Sequence, residues 1–159
     1  MAIKHVLKSV SLFVGVLMLV GAGPVSTSTT VFTHDKTKDG WQLVENISEP
    51  VQINMHDLKL VSYIYFGEKY VKGDELRRRA RVQDANLSQQ HAEYILEHQE
   101  YIPEEFQDIY FIFPGTVWQN KVNKKVMPCL FATRGRWQML FCELDYKHSY
   151  SGFLISTKK

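Results

Sequence analysis

The chain has 159 residues, with 19 Lys and Arg against 17 Asp and Glu, and two cysteines. That length suits one domain with a sizeable core. Two of the basic residues, Lys4 and Lys8, lie at the extreme N-terminus, so the rest of the chain is electrically balanced; this argues against a dedicated nucleic-acid binder, which carries a basic excess.

Met1–Ala22 reads as a secretory signal peptide. Lys4 and Lys8 form a basic n-region, Val10–Val20 runs apolar except for Ser11 and Gly15, and Val20-Gly21-Ala22 supplies the small-residue cleavage pattern. The run is short for a membrane span, which needs about 20 residues. Cleavage after Ala22 leaves about 137 residues. The expected location is therefore periplasmic or extracellular. If the signal stays uncleaved, the same run makes the protein a membrane-tethered envelope component. Gly23–Thr30, rich in Ser, Thr and Pro, reads as a flexible leader. Residues 31–159 are expected to form a single domain.

Strands are expected at Thr30–Phe32, Trp41–Ile47, Val51–His56 and Leu58–Tyr65. Val51, Ile53 and Met55 alternate with Gln52, Asn54 and His56, the period of a half-buried strand. The middle of the chain is helical. Asp74 is placed to cap a first helix, with Asp74/Arg78 and Glu75/Arg79 at i,i+4 in the favourable order. Ser88 is placed to cap a second helix running to about Gln99, with Pro103 limiting it. Strands return at Asp108–Phe113, Thr116–Lys121, Val126–Thr133, Trp137–Asp145 and Ser151–Ser156, with a turn at Pro114-Gly115. Strands, then helices, then strands predict an α+β fold: a mostly antiparallel sheet with helices on one face. A dinucleotide-binding βαβ unit is not expected, because no glycine-rich loop joins a strand to a helix.

Two cysteines in an exported domain predict a disulfide. A type II′ turn at Gly135-Arg136 sets Cys129 opposite Cys142 in a hairpin, close enough to bridge. A turn at Arg134-Gly135 sets Cys129 opposite Leu140 and places the sulfurs diagonally. The first register is the expected one, and the bridge is structural.

No residue set carries a catalytic signature. His91 and His98 share an apolar stripe with Leu87, Tyr94, Ile95 and Ile102, but seven helical residues rise about 10.5 Å, too far for one metal ion. They read as hydrogen-bonded core or interface residues. His34-Asp35 and His56-Asp57 are adjacent pairs whose side chains diverge on a strand. Glu93, Glu97 and Glu100 read as a solvated helix face. The tryptophans and tyrosines read mainly as core, with a sugar- or protein-binding face as the functional alternative. Asn46-Ile47-Ser48 and Asn86-Leu87-Ser88 match the N-glycosylation pattern. No metal or other cofactor is expected.

Charge is arranged in blocks: Arg77–Arg81 is basic, Asp84–Asp108 acidic, and Lys121–Arg136 basic again. Arg78 and Arg79 have acid partners on their own helix. Arg77 and Arg81 have none there and share one face, which makes them the candidate binding residues for an acidic protein or an anionic surface. The functional expectation is a non-enzymatic exported binding or inhibitor-type domain. The alternatives are a small exported hydrolase with a dispersed site, and the tethered envelope component. Nucleic acid is not an expected partner, and a membrane is one only through an uncleaved signal.

Overall fold

The computed structural model describes residues 31–47, 51 and 53–157. The readings placed on Met1–Ala22, on the leader Gly23–Thr30 and on Ser48 lie outside these. Nine strands and two helices follow in order: β1 (Gln42–Asn46), β2 (Lys59–Val61), β3 (Tyr70–Lys72), α1 (Gly73–Val82), α2 (Gln89–Glu97), β4 (Tyr110–Ile112), β5 (Thr116–Gln119), β6 (Lys125–Thr133), β7 (Arg136–Glu143), β8 (Lys147–Ser149) and β9 (Gly152–Ser156). The fold is α+β, with both helices in the middle of the chain.

β6 organises the main sheet. β7 pairs with one of its edges. β5 and β4 share the other, pairing successive stretches of it on either side of the turn at Pro114-Gly115. β1 extends the sheet beyond β5, and β9 then β2 extend it beyond β4. Every pairing is antiparallel except β4 with β9. A separate two-stranded sheet joins β3 to β8.

The two helices lie on opposite faces of the sheet, which corrects the expectation of one helical face. Alternation explains it, because neighbouring strand residues point to opposite sides. Phe111, Leu130, Ala132, Trp137 and Ile155 meet Ala92 and Ile95 of α2. Their neighbours Ile112, Met127, Cys129 and Leu154 meet Leu76 and Ala80 of α1, together with Val71 of β3. Strands buried on both sides carry few polar residues, hence runs such as Val126–Leu130. Each fully buried Leu or Ile contributes about 1.5–3 kcal/mol.

Local chemistry sets the helix ends. α2 starts after Ser88, as expected, and its reciprocal cap is closed by His91, whose Nδ1 accepts from the Ser88 main-chain N–H at 3.2 Å. α1 starts one residue before Asp74, with Lys72 at the cap. Glu75 pairs with Arg79 at 2.7 Å as expected, and Arg78 also takes Glu75 at 2.7 Å rather than Asp74. Residues 31–32 are not in a strand. Ile53 and Met55 are buried while Asn54 and His56 are exposed, so the alternation correctly separates inside from outside. The described residues of the segment nevertheless form no strand. The Asn54 side chain accepts from His56 N at 3.2 Å and turns the backbone into a short 3₁₀ helix, Met55–Asp57.

The β6–β7 hairpin takes the register not expected. Thr133 pairs with Arg136, and Arg134 and Gly135 both have positive φ, 52° and 74°. This is the type I′ pattern, whose twist matches the strands. Cys129 therefore opposes Leu140 and Met127 opposes Cys142. The two cysteines are bridged diagonally, with Cα atoms 6.5 Å apart, within the reach of a disulfide.

Candidate binding cleft

A cleft of about 400 Å³ opens on the α1 side of the sheet. Its floor is Tyr63, Tyr110, Ile112 and Gly152, and its walls are Cys142, Glu143, Tyr146, His148, Ser149 and Ser151. The parallel pairing of β4 with β9 sets Tyr110 beside Gly152. Stacking on Phe131, with centroids 4.3 Å apart, fixes the Tyr110 ring. The Tyr63 hydroxyl donates to Ser149 O at 2.5 Å, and a Cβ at Gly152 would lie 2.6 Å from that same hydroxyl. Gly152 thus leaves the room in which Tyr63 anchors the β8–β9 turn.

The cleft is held neutral. Burial pushes the Tyr63 phenol far above its ordinary range, opposed in part by a main-chain bond from Gly152. Burial also pushes His148 below its ordinary value, opposed in part by its bond to Glu143. His148 Nε2 lies 3.0 Å from Glu143 O, and a carbonyl only accepts, so Nε2 carries the proton. The Glu143 carboxylate is engaged by Lys124 at 2.7 Å. The Ser149 and Ser151 hydroxyls bond each other at 3.1 Å. The lining therefore offers the rings and hydroxyls of Tyr110 and Tyr146 beside the mutually bonded Ser149 and Ser151 hydroxyls.

No family model, curated protein or solved structure matches the chain.

The candidate residues Arg77 and Arg81 lie away from this cleft and are not free charges. Arg77 is buried; its Nε donates to Pro114 O at 3.0 Å, and its Nη2 lies 2.6 Å from Glu45 Oε1. Arg81, half exposed, lies 3.7 Å from the same carboxylate oxygen. The Arg77 bond, and the charges of Arg77 and Arg81 behind it, hold Glu45 below the usual carboxylate range. The acid missing from their helix is supplied by β1. This overturns the reading of Arg77 and Arg81 as an uncompensated pair.

Glu93 is likewise not a solvated residue. It is buried, and accepts from Thr33 N at 3.1 Å, His34 N at 2.8 Å and Gln89 Nε2 at 2.9 Å. It straps the segment before β1 across α2. His91 is buried and takes the core role expected of it, whereas His98 is half-buried at the end of α2, bonded to Tyr94 O at 2.9 Å and stacked on the Tyr94 ring with centroids 4.2 Å apart. Among the described residues no group of three or more His, Cys, Asp and Glu is placed to hold a metal. Trp118 and Trp137 are buried, whereas Tyr65, Tyr70, Tyr101, Tyr146 and Tyr150 are exposed. Asn46 Nδ2 donates to Gln90 at 3.2 Å, and Asn86 is half-buried with its Oδ1 fully buried.

Sequence reasoning missed the cleft. The signal available was Tyr146-Lys147-His148-Ser149-Tyr150-Ser151-Gly152, a run dense in aromatics and hydroxyls. Its partners Tyr63 and Tyr110 lie far away along the chain.

Proposed function

We propose that this chain is a small exported binding domain of inhibitor or adaptor type, which takes a neutral, hydroxyl- or amide-bearing ligand in the Tyr63–Gly152 cleft without turning it over. The observation that carries this reading is the neutralised cleft. His148 Nε2 is bonded to a main-chain carbonyl, Glu143 is paired with Lys124, and the two serine hydroxyls bond each other, so neither serine is hydrogen-bonded to the imidazole as a nucleophile would be. Nucleophilic catalysis needs a hydroxyl or thiol within reach of a base, and the base oriented by a third group. Binding needs only shape, aromatic faces and hydrogen-bonding groups. The Cys129–Cys142 bridge fits an oxidising compartment.

The test is a nuclear magnetic resonance titration with neutral oligosaccharides, anionic oligosaccharides and uncharged peptides. The expected result is a neutral ligand that shifts Tyr63, Tyr110 and His148–Gly152 and is recovered chemically intact. Recovery of a cleaved product would replace this reading with the exported hydrolase.

A further inference from the structure

We propose that a second surface, formed by the Tyr65–Glu68 turn and the outer face of the β3–β8 sheet, docks the protein on an anionic lipid bilayer. The first observation is Phe66, which is fully exposed, at 108% of its reference area. Exposed single hydrophobes are common, but this one sits at the tip of a clamped turn. Glu68 N donates to Tyr65 O at 3.0 Å, and Gly67 takes φ +87°, as a type II turn needs at its third position. The Glu68 carboxylate accepts from Arg79 Nη2 at 2.8 Å and from Tyr65 N at 2.9 Å. The Arg79 guanidinium lies 4.0 Å from the Tyr65 ring centroid. Arg79 is buried and bonded to Tyr63 O as well, at 2.7 Å. An apolar tip held this way loses little conformational freedom when it inserts.

The second observation is charge. Lys72 and Lys147 are directly opposed in the antiparallel β3–β8 ladder, an arrangement of like charges that destabilises strand pairing. Exposed Lys69 adds a third cation. Lys147 Nζ lies 4.3 Å above the Tyr70 ring. Tyr70, Tyr146 and Tyr150 are exposed around it, at 47%, 68% and 77%. The nearby acids Glu68 and Glu75 are taken up by Arg79 and Arg78. Asp74 and Asp145, at the sheet's ends, are the exposed acids beside it. Lys69, Tyr70 and Lys72, within six residues of the apolar tip, match the chemistry of a bilayer interface, where aromatic rings sit at headgroup level and cations meet lipid phosphate. The opposed lysines favour that occupant, because anionic headgroups relieve the repulsion that the fold itself leaves.

A Phe66→Trp reporter in the full chain tests this. Titrated with phosphatidylcholine vesicles containing about 30% phosphatidylglycerol, its emission, taken as a difference from wild type, shifts to the blue; with pure phosphatidylcholine it does not. Residues 1–30 are common to the reporter and to the Lys72→Glu protein compared with it, so the difference between the two reports the β3–β8 surface. Adding Lys72→Glu raises the lipid needed for half-maximal shift about fivefold or more, at ~1 kcal/mol per cation near such a surface. The same change raises the melting temperature, since it places an acid opposite Lys147 and at the start of α1. No blue shift on the anionic vesicles, or an unchanged lipid requirement in the folded Lys72→Glu protein, overturns the proposal.

Discussion

Arg77 and Arg81 lie one turn apart and point to the same carboxylate, yet their removal has very different consequences. Truncating Arg77 to Ala leaves the buried Pro114 carbonyl without its donor, at about 1–3 kcal/mol. It also removes a contact to half-exposed Glu45, worth about 0–1 kcal/mol, and the packing of the arginine stem. The total is about 2–4 kcal/mol. Arg81 is half exposed and 3.7 Å from Glu45, so Arg81→Ala stays within about 0.5 kcal/mol. Urea unfolding at pH 7 measures both. The pair also has a pH signature. Because Glu45 titrates lower when folded than when unfolded, its contribution is complete above the unfolded carboxylate value, ~4.3, and is lost as pH falls through the folded one. Arg77→Ala abolishes most of that acid-limb slope. Equal costs for the two variants, or an unaltered acid limb in Arg77→Ala, would refute the assignment of Arg77 as a structural strut between α1 and β1.

Three further outcomes follow from the hairpin and the cleft. Arg134→Gly relieves a left-handed arginine at φ 52° and raises stability by about 1 kcal/mol in thermal melts, whereas a type II′ turn at Gly135-Arg136 would give no gain. Gly152→Ala pushes a methyl toward the Tyr63 hydroxyl 2.6 Å away; the protein loses about 1–3 kcal/mol, and amide exchange at Ser149–Ser151 speeds up. Replacing both Cys129 and Cys142 with Ala opens a loop of sequence separation 13, which costs about 2–3 kcal/mol in denaturant unfolding.

Much of the fold was legible because alternation and turn chemistry are local. The strands from Asp108 to Ser156, the Ser88 cap and the Glu75/Arg79 pair all rest on residues within a few positions of each other. What failed was long-range or balanced between local options. β3 and β8, three residues each, are too short to show a period and hold only each other. The hairpin turn offered glycine at either central position, and the twist of the strands decided in favour of Arg134-Gly135. Arg77 and Glu93 were read from their own helices, whereas their partners, Glu45 and the Thr33–His34 backbone, come from the start of the chain. The cleft was hidden for the same reason: the parallel β4–β9 pairing brings Tyr110 to Gly152, the β2–β9 pairing brings in Tyr63, and Tyr146 comes from the β7–β8 turn.

Binding of a neutral ligand in the Tyr63–Gly152 cleft, without its conversion, remains the proposal to test. Amide and ring resonances, recorded during titration with neutral oligosaccharides and uncharged peptides, test it most directly. Saturable shifts confined to Tyr63, Tyr110, Tyr146 and His148–Gly152 are expected, lost in Gly152→Ala, with the ligand recovered unchanged. Shifts centred on Arg77 and Arg81, or conversion of the ligand to product, would contradict it.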